Sequence, residues 1–262
     1  MNILDTIIAY KKTEVKKRKS EASVAELEKS KLFVRNTLSL KESLQNKAMT
    51  GIIAEFKRRS PSKDVINNEA DVVATTSAYA QKGASGLSVL TDSKFFGGSS
   101  DDLTRARVNN IPILRKDFII DEYQVIESKS IGADVILLIA DVLSQHVVKR
   151  LAAFAKNIGL EVLLEIHSEK ELDHISDAVD MVGINNRDLK TFEVDINTSL
   201  QLIKKIPGNK VMISESGISN AETIVILKAA GFKGFLIGEA FMKCEDPGKA
   251  FADFVTGLKP RK

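Results

Sequence analysis

Eight short apolar runs constrain this chain more than any other feature, at residues 51–56, 86–90, 112–115, 135–139, 161–165, 181–184, 211–214 and 234–237. Short apolar runs bounded by turn residues read as buried strands. They start roughly every 20–35 residues, the size of a βα unit. Amphipathic stretches at 70–81, 145–157, 198–205 and 221–230 lie between them. Ser168 with Glu171, Ser219 with Glu222, and Asp121 with Gln124 have the spacing of capping boxes that open helices. Gly83, Gly132, Gly159 and Gly231 stand where helices should stop, just before the next strand. Strands alternating with helices predict a parallel sheet, and eight of them close a (β/α)8 TIM barrel. A doubly wound open sheet would carry a glycine fingerprint after its first strand. Here that strand runs into Glu55-Phe56-Lys57-Arg58-Arg59 instead.

Residues 1–50 contain no strand pattern. Ile3, Leu4, Ile7, Ile8 and Val15 sit at helical spacing, and Ser39-Leu40-Lys41-Glu42 opens a second short helix. The expected organisation is an N-terminal helical extension, residues 1–50, packed on a barrel of residues 51–262. A chain of 262 residues, 44% of them hydrophobic, can bury a sizeable core. Its net charge of +3 is too small to argue for nucleic acid. Lys11-Lys12 and Lys16-Lys17-Arg18-Lys19 read as a solvated helix face, with cations near the C-terminus where the dipole favours them. Contact with nucleic acid or an anionic membrane is the alternative.

Cys244 has no second cysteine to pair with, which suits a reducing compartment. Asp5 interrupts the first apolar stretch and no small-residue cleavage site follows, so no signal peptide is expected. The longest apolar run, 135–140, is too short to span a bilayer. A soluble, cytoplasmic protein is expected, with neither a membrane nor a nucleic-acid partner.

Five of the runs end in polar residues. Side chains alternate faces along a strand. Glu55 therefore shares a face with Lys57, Lys116 with Leu114 and Phe118, Glu165 with His167, Asn185 with Arg187, and Glu215 with Ile213. Pointed inward, they put three carboxylates (Glu55, Glu165, Glu215) and three cations (Lys57, Lys116, Arg187) in one cavity. Such crowding shifts pKa values and permits acid–base chemistry near neutral pH. Barrel enzymes build their sites at these strand ends; structural ion pairs closing the barrel mouth are the bland alternative. Two glycine turns, Glu215-Ser216-Gly217-Ile218-Ser219 and Leu236-Ile237-Gly238-Glu239-Ala240, follow the last two strands, where barrels often hold phosphate. The loop 57–68, with Ser60-Pro61-Ser62-Lys63, is long enough to close over a substrate. His146, His167 and His174 lack metal-ligand spacing, so no metal is expected, and His167 reads as a supporting or structural residue.

Several motifs recur in order: Ile53-Ala54-Glu55-Phe56-Lys57 with Ser60-Pro61-Ser62, Leu114-Arg115-Lys116-Asp117-Phe118, Leu164-Glu165-Ile166-His167, Gly183 to Leu189, Ser214-Glu215-Ser216-Gly217-Ile218 and Leu236-Ile237-Gly238-Glu239. With them the chain resembles the indole-3-glycerol phosphate synthase family over nearly its whole length, the helical extension included. Arg58-Arg59 vary the family's usual loop sequence, and Asp64 sits where the family more often has Gly.

The resemblance implies a ring closure with decarboxylation and dehydration of an arylamino-deoxyribulose phosphate, a small-molecule substrate, with no cofactor. It makes Lys116 the general acid at the ketone oxygen, and Glu165 and Lys57 the second acid–base pair. Glu55, Asn185 and Glu215 would orient hydroxyls and tune the lysines. Arg187, Lys57 and Ser60 would hold the carboxylate, and Phe118 would pack on the aromatic ring. Backbone groups at Ser216, Gly217, Gly238 and Glu239, with Leu236 beside them, would take the phosphate. A monomer is expected; a weak dimer or a docked pathway enzyme stays open. The rival enzyme reading is another phosphosugar barrel, such as an aldolase with Lys116 as Schiff-base nucleophile. The rival from another class is a binding protein that uses the basic run.

Overall fold

The computed structural model describes residues 3–189 and 191–258. Its centre is a closed barrel of eight parallel strands: β1 (Ile52–Phe56), β2 (Gly86–Leu90), β3 (Ile113–Lys116), β4 (Val135–Ile139), β5 (Glu161–Ile166), β6 (Met181–Asn185), β7 (Val211–Glu215) and β8 (Gly234–Ile237). Neighbours in sequence are neighbours in the barrel, and β8 closes on β1 with Ile53 opposite Leu236. β3, β6 and β7 each run one residue past their apolar pattern. Leu90 pairs in register with Lys116, and Asn185 with Glu215. Backbone pairing does not depend on side-chain polarity, so hydropathy ends a strand too early here.

The two faces of each strand feed two cores. Ile53, Leu114, Leu163 and Ile213 fill the barrel interior. Ile52, Ala54 and Phe56, the alternate residues of β1, join the layer between strands and helices. Helices Gln145–Asn157 and Ala221–Ala230 have the predicted bounds, and Gly231 ends the second in the left-handed region at φ 113°. The stretch 198–205 divides into helix Asn197–Leu202 and a 3-10 turn, Ile203–Lys205.

The predicted caps fare unevenly. Asn220, not Ser219, caps Ala221–Ala230 by accepting from the Thr223 N–H. Asp121 caps helix Glu122–Ser130, but Gln124 reaches back to the Ile120 N–H. Ser168 precedes a 3-10 helix, Glu169–His174, and makes no backbone cap; the Glu171 carboxylate takes the His167 N–H instead. A reciprocal capping box occurs at Ser23 and Glu26.

The extension touches both ends of the barrel. Helix Ile3–Glu21 brings Leu4 and Ile7 into the interior cluster at the C-terminal mouth. Helix Leu40–Gln45 plugs the opposite end. A Cβ on Gly86, at the start of β2, would stand 2.6 Å from Leu40 Cδ1.

The basic run departs from the solvated face expected of it. Lys12, Lys16 and Lys17 are exposed, but Lys11 is only 1% exposed and lies 2.6 Å from Glu14, 2.8 Å from Asp92 and 2.9 Å from Asp117. Arg18 holds Glu14 and Glu127, and Lys19 pairs with Asp121. The helical period explains this: Leu4, Ile7, Lys11, Val15 and Arg18 share the face turned to the barrel. Their carboxylate partners come from distant loops, which composition cannot reveal.

Burial would raise the Asp117 pKa, but Lys11 and then Arg115 outweigh it and hold the carboxyl well below its ordinary 3.8. A depressed carboxylate contributes stability that is present above the unfolded value and lost as pH falls through the folded one. Wild-type stability should therefore drop below about pH 4, and Asp117→Asn should flatten that acid limb. Lys11→Met strands Asp92 and Asp117 in the interior and should cost about 3–5 kcal/mol at neutral pH. Urea unfolding of the three chains between pH 7 and pH 2 checks both outcomes.

Candidate active site

A cavity of 380 Å³ opens at the C-terminal ends of the strands. The structure brings every predicted site residue to its wall. Glu55, Lys57 and Ser60 come from β1 and its loop, and Lys116 and Phe118 from the end of β3. Glu165 comes from β5, Asn185 and Arg187 from β6 and beyond, and Glu215, Ser216 and Gly217 from β7 and its turn. Leu236, Gly238 and Glu239 complete the ring from β8. Alternation along each strand is what turns these side chains inward together.

The charges form two groups. Lys57 Nζ lies 2.8 Å from Glu55 Oε1, whose other oxygen accepts from Ser88 Oγ at 3.3 Å. Lys116 Nζ lies 2.7 Å from Glu165 Oε2 and 3.3 Å from Glu215 Oε2. Asn185 Nδ2 donates to Glu165 Oε1 at 3.2 Å. Burial opposes the charge on Lys116, but Glu165, Glu215 and Glu55 together hold its pKa above the ordinary lysine range. Burial works against Glu165 too, and Lys116 followed by His167 overrides it and keeps this carboxyl low. Glu215 goes the other way: burial, opposed by Lys116 and joined by Glu165 and Glu55, pushes it up to about 7. Glu215 Oε1 is buried without a hydrogen-bond partner. One ammonium cannot neutralise two carboxylates, so one of the pair stays close to protonation at neutral pH.

The far end of the cavity is built of backbone. Ser216 at φ 66° and Gly217 at φ 75° make consecutive left-handed residues after β7. A side chain on Gly217 would collide with Val194. Gly238 leads into the short helix Glu239–Met242, and a Cβ there would stand 2.7 Å from Glu55 Oε1. Arg187 Nη2 lies 3.3 Å from Glu239 Oε2, and the Arg187 N–H donates to Asn185 Oδ1 at 3.0 Å.

Sequence reasoning missed the apolar wall. Ile3, Leu4 and Ile7 from the extension, Phe96 from the short helix Ser93–Phe96 after β2 and Leu189 after β6 line the cavity beside Phe118. The Phe96 and Phe118 rings are 6.1 Å apart and tilted by 40°. The signal available was Phe95-Phe96-Gly97-Gly98 directly after a strand, an aromatic pair followed by residues that admit close backbone approach. The first helix was visible in the sequence, but nothing in its own residues says which end of the barrel it covers.

The loop 57–68 folds into a small hairpin, Arg59–Ser60 against Asp64–Val65. Asp64 turns it at φ 46°, a left-handed position that suits Gly and that Asp tolerates better than most residues. Arg59 donates to Asp64 at 3.1 Å. Arg58 grips Asp102 through two bonds, 2.7 and 2.9 Å, and lies over the Phe56 ring. Among the described residues no cluster of His, Cys, Asp or Glu could hold a metal ion, and no helix is long and apolar enough to cross a membrane.

Comparison with known proteins places the chain in a family. Residues 4–254 match the family model described as indole-3-glycerol phosphate synthase. An indole-3-glycerol phosphate synthase of Bacteroides thetaiotaomicron is 48% identical over 98% of this chain and 99% of its own length. That of Caldanaerobacter subterraneus is 45% identical over 93% of this chain and 94% of its own. Among solved structures, 3-hexulose-6-phosphate synthase from Salmonella typhimurium superposes with a TM-score of 0.61 at 12% identity, over 80% of this chain and 98% of its own, which supports the barrel fold alone. The chain belongs to the indole-3-glycerol phosphate synthase family, a family of carboxy-lyases.

Proposed function

We propose that the chain converts 1-(2-carboxyphenylamino)-1-deoxyribulose 5-phosphate to indole-3-glycerol phosphate, a step of tryptophan biosynthesis. The observation that carries this is the Lys116 ammonium, set between Glu165 and Glu215 in a cavity with an apolar wall at one end and glycine turns at the other. The ring carbon bearing the carboxylate attacks the ketone, and Lys116 gives its proton to the oxygen as charge develops there. Carbon dioxide then leaves and the ring regains its aromaticity. Dehydration needs one group to protonate the departing hydroxyl and another to take the proton from the neighbouring carbon. Glu165 and Lys57 share these transfers. Once Lys116 has released its proton, Glu165 loses its nearest counter-charge and becomes a stronger base.

Phe118 and the apolar wall pack on the aromatic ring. Arg187, Lys57 and Ser60 receive its carboxylate. The backbone N–H groups of Ser216, Gly217, Gly238 and Glu239, beside Leu236, receive the phosphate, as the first turn of a helix leaves its N–H groups without internal partners. Glu55, Asn185 and Glu215 orient the sugar hydroxyls, Glu215 Oε1 being ready to donate or accept according to its protonation.

The electrostatics weigh against the aldolase alternative. A Schiff-base lysine attacks as the neutral amine, whereas three carboxylates hold Lys116 charged. Borohydride in the presence of substrate should therefore leave no adduct on Lys116. The same reading makes the chain a cytoplasmic monomer acting on a small molecule. Its extension and barrel work as one unit, and it has no nucleic-acid or membrane partner. Lys11, Arg18 and Lys19 are already engaged by the chain's own carboxylates.

Indole fluorescence on adding the arylamino-deoxyribulose phosphate tests the reaction; a chain that yields none refutes it. Lys116→Met should lower kcat at least about a hundredfold, with substrate affinity changed much less. Arg187→Ala should mainly weaken binding. A Cβ on Gly183 would collide with Glu215 Oε1. Gly183→Ala should therefore displace that carboxylate and lower kcat/KM on the order of a hundredfold, read by the same assay.

A further inference from the structure

We propose that His167 is a positioning residue for Glu165, a charged imidazolium set behind the cavity that holds the Glu165 carboxylate in its working orientation. The inference rests on Glu165 taking part in the proton transfers. It goes beyond that reading in assigning a task to a residue that does not line the cavity.

His167 directly follows β5, and its side chain is 14% exposed. Nε2 lies 3.4 Å from Glu165 Oε1, and Nδ1 lies 3.8 Å from the Glu171 carboxylate. Neither ring nitrogen has a hydrogen-bond partner. A neutral imidazole buried in this way would leave its polar atoms uncompensated. An imidazolium between two carboxylates is compensated through space.

Glu171 is itself anchored. It accepts the His167 N–H at 2.6 Å and the Ser168 hydroxyl at 3.2 Å, so the anion behind the ring has a fixed place. The charged groups facing the ring are Glu165 from β5, Glu171 from the 3-10 helix and Asp141 from the loop after β4, with Lys116 beyond Glu165. Burial opposes the ring's charge. The carboxylates of Glu171, then Glu165, then Asp141 outweigh it and raise the ring's pKa above its ordinary 6.5.

The two Glu165 oxygens are thereby divided. Oε2 belongs to Lys116 inside the cavity, and Oε1 faces Asn185 and His167. Lys116 changes charge when it acts as an acid, while His167, which touches no substrate, does not. His167 keeps Glu165 ionised and oriented at the moment its other partner becomes neutral.

The chain has only three histidines, so ring-proton NMR offers three titrating resonances, and the one absent from His167→Gln identifies His167. It should titrate above 6.5, and Glu171→Gln should lower its midpoint. In turnover, His167→Gln should lower kcat at least about tenfold and leave KM within about twofold, because orientation is lost but no substrate contact is.

The pH profile separates this role from a purely structural one. A raised histidine keeps its charge below its folded pKa and loses it above. Wild-type kcat should therefore fall as pH rises through the His167 midpoint, and this limb should vanish in His167→Gln. The titration of Lys116, raised above the lysine range, lies well beyond it. A ring midpoint at or below 6.5 overturns the proposal, as does a folded His167→Gln enzyme with normal kcat and an intact alkaline limb. If His167→Gln does not fold, the wild-type midpoint and its shift in Glu171→Gln decide. A wild-type chain without turnover overturns the reaction itself; a normal ring midpoint with full turnover overturns only the role of His167.

Discussion

Strand β3 carries two charge systems on its two faces, and much of the molecule is arranged around keeping them apart. Lys116, between Leu114 and Phe118 in the inward alternation, enters the cavity. Arg115 and Asp117 point the other way and are fully buried. Arg115 holds Glu127 at 2.7 Å and Asp117 at 3.1 Å, and Asp117 holds Lys11. Buried ions need complete partnership, because losing one partner leaves the other uncompensated. Lys11 also reaches Asp92, which caps the short helix Ser93–Phe96 that carries Phe96. The N-terminal helix is thereby tied to the strand that presents Lys116 and to both rings of the apolar wall. A registry error of one residue on β3 would exchange the two systems, so the surrounding ion pairs also enforce the register.

Charge balance in the cavity is set in the same way. Glu55, Glu165 and Glu215 face Lys57 and Lys116, one carboxylate more than the lysines can neutralise. The excess falls on Glu215, which has the weaker hold on Lys116 and a pKa pushed up to about 7. Lys116 remains a cation, and its neighbour Glu165 remains an anion. Two carboxylates on one ammonium thus acquire different charge states: Glu165 lies closer to Lys116, 2.7 against 3.3 Å, and has His167 and Asn185 beside it, whereas burial dominates at Glu215.

The barrel and its polar mouth were legible because both follow from alternation. Eight apolar runs gave eight strands, and the same period of two sent Glu55, Lys116, Glu165, Asn185 and Glu215 inward. Contacts between distant segments were not legible. Lys11 looked like one of many surface lysines, and its partners Asp92 and Asp117 lie some eighty and more residues away. The caps at Ser168 and Ser219 failed for a local reason, since a spacing rule cannot say whether Asn220 or Glu171 will reach the backbone group first. Ile3, Leu4 and Ile7 had the right period for a buried face, but what they would cover depended on where the helix docks. Asp64 was visible as a departure from the family pattern; its φ of 46° gives the physical reason why Gly suits that position.

Lys57, Lys116 and Arg187 are each paired inside the cavity, so an anionic substrate that takes one of them must compete with the protein's own carboxylates. The competition is uneven. Glu55 and Glu165 are 4% and 2% exposed, and releasing Lys57 or Lys116 would leave a buried anion without compensation. Glu239 is 37% exposed, and Arg187 holds it at 3.3 Å, beyond a tight charge-assisted bond. Water can receive Glu239 at little cost. Of these three cations, Arg187 is the one whose counter-ion yields most easily to an incoming anion, while Lys57 and Lys116 are held against buried carboxylates. On the proposed reading, how far each counter-ion is from solvent decides how readily its cation can turn to the substrate.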